Sequence, residues 1–279
     1  MKNTQRKTLL AGISLLLLLN SSTTTTTAQP ILASLRYHND LRLQTETFVR
    51  KGNVDVVTVR DENNQDNREL AFCHLPALMS LTSVNNNTRA VWRDAARYTD
   101  IPTIALAVQH FNSGNGTVVP ELEGIDKRCN IRFTYEIFDS EYSLKKSVRD
   151  VIDILYDDIT NPNKKLPYAF LGEFRSSVTV ATATITGLED YPQFSPTSTS
   201  MFLDNKNQFS HFGRLVPSDY GVAVAIIRYF MERNIDHIAV LFVDDAYGAS
   251  LSVSLQQAAS EIAPQMEIKK YAYHSMCVC

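Results

Sequence analysis

A chain of 279 residues has room for one large domain or two modest ones, and its make-up of 44% hydrophobic and 20% charged residues is that of a folded protein, not a disordered one. The formal net charge is -3, and no basic block is longer than the pairs Lys164-Lys165 and Lys269-Lys270. That pattern lacks the positive footprint with which proteins grip phosphates, so no nucleic-acid partner is expected.

The first residues carry a targeting pattern. A basic start (Lys2, Arg6, Lys7) leads into the apolar run Thr8 to Leu19, and the low-complexity polar stretch after it ends at Ala28. This is the layout of a secretory signal over residues 1–28. The other reading is an uncleaved anchor, although the apolar run is shorter than the roughly 20 residues a spanning helix needs. Either way the mature chain is expected in the secretory pathway, extracellular or at the cell surface. Any hold on a membrane would come through the amino terminus or through a carboxyl-terminal region beyond Cys279. The oxidising route makes disulfides available, and Cys73 with Cys129 is the expected pair, worth about 4 kcal/mol in the chain-entropy model. His274, Cys277 and Cys279 imitate a metal cluster, but one short tail cannot close a tetrahedral site, and no cofactor is expected. Two sequons, at Asn86 and Asn115, are available for glycosylation.

Residues 29–69 are hard to place, apart from an alternating run from Val54 to Val59 that reads as a strand before a polar stretch, Asp61 to Arg68. Beyond them strand and helix patterns alternate, which predicts a parallel sheet covered by helices on both faces. Leu70 to Leu75 reads as a strand. Ile101 to Phe111 reads as a helix with Ile104, Ala107, Val108 and Phe111 at helical spacing, and Ile131 to Phe138 as the next strand. Val148, Val151, Ile152 and Leu155 mark a second helix, Tyr168 to Gly172 a short buried strand. Val178, Ala181, Ile185 and Leu188 mark a third helix broken near Gly187. Short strands follow at Gln193 to Ser195 and Gly213 to Val216. Pro217-Ser218-Asp219 opens a helix with Val222, Ala225, Ile226, Tyr229 and Phe230 on one face, its Ser and Asp expected to cap the first turn. Ile238 to Val243 is predicted as a strand buried on both faces, Leu251, Leu255, Ala258 and Ile262 as a helix, and Ile268 to Ala272 as a last strand.

Ligands of open parallel sheets sit at the carboxyl ends of the strands, where loops enter helix amino termini. Two turns have the right chemistry: Gly172-Glu173-Phe174-Arg175-Ser176-Ser177, with hydroxyls and amides for a carboxylate, and Val243-Asp244-Asp245-Ala246-Tyr247-Gly248, with acids and an aromatic face for an ammonium. Between them, Ser195 to Ser200 is dense in hydroxyls directly after a strand. Each alone reads equally well as a plain helix cap, a solvated turn or a polar loop; together they fall on one edge.

Three stretches, FLGEFRSSVTVATATITGLEDYPQFSPTSTSMFLDN, HFGRLVPSDYGVAVAIIRYF and IDHIAVLFVDDAYGASL, with the weaker IALAVQHFNSG, resemble the receptor-family ligand-binding region of the periplasmic-binding-protein type I plan. The closest flavour is that of class C G-protein-coupled receptors of the metabotropic glutamate and GABA type B kind. The resemblance implies an α/β, Rossmann-like clamshell. Lobe one would span residues 70–217, and a truncated lobe two residues 218–279. It implies a small amino-acid-like ligand held by Ser176, Ser177, Thr197 and Thr199 from lobe one and by Asp219 and Tyr247 from lobe two. It also implies a homo- or heterodimer through lobe one. Glu173, Phe174 and Arg175 depart from the glycine-rich turn of the glutamate branch, which leaves the ligand's identity open.

Two other readings compete. The chain would be a soluble secreted binding protein or an incomplete receptor fragment if it has no membrane half. It would be an enzyme on a doubly wound sheet if a nucleotide site existed, but Gly114-Asn115-Gly116 follows a helix pattern instead of a strand and lacks the third small residue. No phosphate-binding loop, serine elbow or zinc-protease motif is present in the sequence.

Overall fold

The computed structural model describes residues 43–51, 53–61, 67–84, 91–93, 97–156 and 164–273. The expected signal segment, the Asn86 sequon and the tail with His274, Cys277 and Cys279 lie outside them.

The long strand β3 (Asn67–Met79) organises the large sheet. One edge pairs in parallel with β6 (Ile131–Asp139) over its second half. A strand has only two edges, so the other is divided: its start pairs antiparallel with β2 (Val54–Asp61), itself paired to β1 (Leu43–Lys51), and Ala77 pairs with β7 (Phe170–Leu171). From β7 the sheet continues in parallel through β8 (Gln193–Ser195) to β9 (Phe212–Arg214). A separate antiparallel hairpin joins β4 (Thr82–Val84) to β5 (Val91–Arg93). The strand expected at Val54 to Val59 is β2, and β1 adds a second from the stretch that the sequence leaves unplaced.

Parallel neighbours need crossovers, and helices supply them. α1 (Asp100–Ser113) and the single turn α2 (Ile125–Arg128) join β3 to β6, α3 (Leu144–Tyr156) joins β6 to β7, and α4 (Ser176–Leu188) joins β7 to β8. α1 has no fully buried residue, yet it is pinned at its end. The Asn112 side chain donates to and accepts from the Phe133 backbone, both at 2.8 Å, and Phe111 stacks on Phe133 with ring centroids 4.8 Å apart. α3 buries Val151 and Leu155 against Leu78 and Phe170. A central strand covered on both faces reads as a nearly continuous apolar run, as Leu70, Phe72, Ala77, Leu78 and Met79 do.

Two helix faces differ from their predicted stripes. α4 ends at Leu188, one residue past Gly187 where its break is expected, and buries Val178, Thr179, Thr182, Ala183 and Thr186, leaving Leu188 exposed. The threonines face inward because the strand below presents Gln193. Its amide nitrogen donates to Gly172 O and Thr182 Oγ1, and its amide oxygen accepts from Thr186. A fully satisfied buried amide of this kind costs little to bury.

The second region is smaller. α5 (Asp219–Glu232), β10 (His237–Val243), α6 (Ala246–Ile262) and β11 (Glu267–Tyr273) form one βαβ unit with a preceding helix, its two strands parallel and in register from His237 opposite Glu267. Ala223 and Ile227 of α5 pack on Leu255, Ala258 and Ala259 of α6, with Ile238, Val240 and Ile268 beneath. The buried face of α5 is therefore one residue out of phase with the predicted one, and Val222 and Tyr229 stand exposed. β10 is covered on one face only, with Leu241 71% exposed, so burial of both faces is corrected. Both helices lie on the same side of this short sheet.

Among the described residues, no helix is long and apolar enough to cross a membrane.

Candidate functional site

All five parallel strands of the large sheet release their chains at one edge, into Ser80, Ser140, Gly172-Glu173, Ser195 and Leu215. Gly172 makes the sharpest of these exits, with φ +103, and a side-chain carbon there would stand 2.1 Å from the Leu78 carbonyl oxygen. The turn then places the Glu173 carbonyl among three hydroxyls: Ser195 Oγ donates at 2.5 Å, and Thr179 Oγ1 and Ser198 Oγ at 3.2 Å. Thr197 Oγ1 donates to Phe174 O at 2.8 Å. The hydroxyl-rich loop is thereby stitched to the turn before α4.

Ser176 meets the hydroxyl loop at the residue after Thr199. Ser176 Oγ accepts from the Ser200 amide at 3.3 Å, which lays the loop across the amino terminus of α4. Arg175 is the N-cap of that helix, not Ser176, and offers no side-chain cap, so the positive end of the helix dipole faces the loop uncompensated. Thr199 Oγ1 is buried without a hydrogen-bond partner among the described residues, while its carbonyl accepts from the Asp219 amide at 2.8 Å. Arg214 supports the loop from behind, donating to Ser200 O at 2.8 Å and pairing with Asp204.

The small-sheet region meets this edge through two helix starts. Asp219 is buried, and its Oδ2 accepts from Ser250 Oγ at 2.7 Å, while Ser250 accepts from the Met201 amide at 2.7 Å. The expected capping of α5 is corrected here: Ser218 makes no cap bond and donates instead to Asp204, and Asp219 turns to α6. Asp245 does cap α6, accepting from the Tyr247 and Gly248 amides at 3.0 and 2.9 Å. Gly248 is required because any side chain there would meet the Val243 carbonyl at 2.1 Å. The other oxygen of Asp245 lies 3.8 Å from Arg175 Nη2, an ion pair between the two turns. Tyr247 stands half exposed beside it.

The chemistry is divided. The large-sheet side presents hydroxyls, a helix amino terminus and the Arg175 guanidinium, which favour a carboxylate. The small-sheet side presents an acid and an aromatic face, which favour an ammonium. Residues far apart in the chain build this arrangement, and Glu173, Ser250, Arg214 and Asp204 were not foreseen as its supports. A charged residue inside the turn was the available signal for Glu173; nothing local marks Ser250. Elsewhere, Cys73 and Cys129 carry free thiols, and burial, then the neighbouring Cys129, push the Cys73 thiol up from its ordinary range. The Asn115 side-chain oxygen accepts from the Thr117 amide and hydroxyl, so this sequon forms a surface turn.

An α/β fold with a mostly parallel sheet, its loops gathered at the carboxyl edge, is the architecture of the periplasmic-binding-protein type I class. The model of the receptor family ligand binding region matches residues 95–274, well over half of the chain, and the chain belongs to that family. It is 35% identical over 133 residues to the extracellular calcium-sensing receptors of Homo sapiens and Mus musculus, covering 43% of this chain and 12% of each receptor. It is 34% identical over 122 residues to the probable metabotropic glutamate receptor mgl-1 of Caenorhabditis elegans, covering 38% of this chain and 12% of the relative. The match thus spans about an eighth of the length of these receptors. The family is one of receptor ligand-binding regions, not of enzymes.

Proposed function

We propose that the chain is the extracellular ligand-binding region of a cell-surface receptor, and that it holds a small amino-acid-like ligand between its large-sheet and small-sheet regions, acting as two lobes. One observation carries this reading: Thr199 Oγ1, buried and unpartnered, sits in the loop that lies over the amino terminus of α4 and bonds the start of α5. A polar atom left without a partner in the interior costs about 1–3 kcal/mol, a cost that an arriving ligand would remove. Ser176, Ser177, Thr197 and Thr199 would take the carboxylate side, and Tyr247 the ammonium side. Asp219 would hold α5 against α6 behind them.

Ligand contact with both lobes at once would favour the closed form, and only that difference in affinity can shift the population. The names of the relatives, calcium-sensing and metabotropic glutamate receptors, fit a small charged ligand. No reaction step is required of these residues, and dimerisation through lobe one would pass closure on. A thermal-shift panel of amino acids and γ-aminobutyrate tests the reading. At least one member is expected to raise the melting temperature, with the shift lost when Ser176→Ala is combined with Tyr247→Ala. A flat panel would remove the ligand class.

A further inference from the structure

Beneath the hydroxyl loop lies an acid that the ligand reading does not use. Glu173 is 0% exposed, directly after β7, and the chains leaving β3 and β6 close over its carboxyl group. Ser80 and Ser140 approach Glu173 Oε2 at 3.4 and 3.2 Å, and they also lie 3.0 Å from each other. Two hydroxyls own two protons, and their mutual bond uses one, so Oε2 receives at most one full donation. Ser147 on α3 also lies near the acid, but its proton goes to the Ser143 carbonyl at 3.0 Å. Glu173 Oε1 has no donor at all among the described residues.

Among the described residues, no ion pair answers the charge that an ionised Glu173 carboxylate would carry. Lys146 pairs with Asp150 on α3, and Arg175 with Asp245 across the turns. At the end of β6, Asp139 is occupied by the Leu81, Thr82 and Glu141 amides and the Thr82 hydroxyl. A buried carboxylate without a counter-charge gives up its charge before it gives up its burial. An uncharged acid fits the scarcity of donors: Oε2 would accept from Ser140, and Oε1 would carry the proton. Burial also pushes Glu173 above the ordinary carboxylate range, against smaller downward pulls from Ser147, Ser140, Ser80 and the Phe174 amide.

The same residue's carbonyl anchors Thr179, Ser195 and Ser198, which fix the loop bearing Thr197 and Thr199. We propose that Glu173 is a positioning residue for the ligand loop, working as an uncharged acid that ties β3, β6, α3 and the loop together and loosens the loop when it loses its proton. This rests on the ligand reading for what the loop does, but not for the proton itself. Because the folded state binds the proton more tightly than the unfolded one, the stabilisation is full below the ordinary Glu range and declines as pH rises toward the folded value.

The test uses the whole chain, wild type and Glu173→Gln, which keeps shape and neutrality. An infrared band of a protonated carboxyl is expected at neutral pH in the wild type and absent from the variant. As pH rises above the ordinary Glu range, wild-type stability should fall relative to the variant by up to about tenfold in the folding equilibrium per pH unit. Binding of L-alanine, L-glutamate or γ-aminobutyrate, whichever registers, should weaken with rising pH in the wild type and hold level in the variant. A missing band, or parallel pH curves for the two proteins, overturns the uncharged acid. Binding with the same pH course in both overturns the positioning role alone. No binding by any of the three at any pH overturns the positioning role together with the ligand reading, while the band still decides the proton.

Discussion

The carboxyl edge of the large sheet and the β10–β11 sheet are built to different degrees of closure. At the first, strand ends converge on Glu173, helices pack over the layer, and Gln193, Ser195 and Ser198 are wholly buried with their hydrogen bonds made. At the second, α5 and α6 cover one face, while Leu241, Tyr271 and Tyr273 stand exposed on the strands. Sequence pattern alone does not separate them, because IAVLFV and LPALM are equally apolar. What separates them is how many layers arrive to cover each strand.

That contrast makes the two regions respond unequally to substitution. Phe170→Ala, in the core with Leu78, Val151 and Leu155, is expected to cost about 3–5 kcal/mol, whereas Leu241→Ser on the open face should stay within about 0.5 kcal/mol. Chemical denaturation of both variants checks this, and equal losses would mean that β10 is covered in solution. Gly172→Ala comes next, at more than about 1 kcal/mol in the same assay, because it combines a positive φ with a clash at Leu78.

The strand ends also carry two acids that titrate in opposite senses. Burial alone would raise Asp139, but the Thr82 hydroxyl and the Glu141, Thr82 and Leu81 amides outweigh it and hold the carboxyl below its ordinary 3.8. Asp139 therefore stabilises the fold above that value, and its contribution is lost as pH falls through the lowered one. Asp139→Asn should be less stable than wild type at neutral pH, with the gap closing in acid. A gap that persists at low pH in melting curves would assign the loss to packing. The smallest effect belongs to Arg175→Ala: a half-exposed ion pair at 3.8 Å is worth about 0–1 kcal/mol and should fade with added salt.

Much of the fold was legible because apolar periodicity reports the layer on which an element lies. The strand at Ile131 and the helix opening at Asp219 fall within a residue or so of their expected bounds. Two kinds of feature were not legible. The phase of α5 was missed because Val222, Ala225 and Tyr229 are apolar on an open side, and that of α4 because its buried face is mostly threonine, satisfied by Gln193 and by its own backbone. At the site, the three turns could be read from their residue types, since each begins where a strand ends. Their mutual ties could not, because Ser250 meets Asp219 and Met201 only after the helices have packed.

The central claim is that the buried hydroxyl of Thr199 waits for a ligand. Thr199→Val keeps the shape and removes the hydroxyl, so calorimetric titration of this variant with the amino acid that binds the wild type addresses the claim most directly. The account predicts an unchanged or higher melting temperature without ligand, and an affinity lower by about tenfold or more. An unaltered affinity, or a variant that merely melts early, would contradict it.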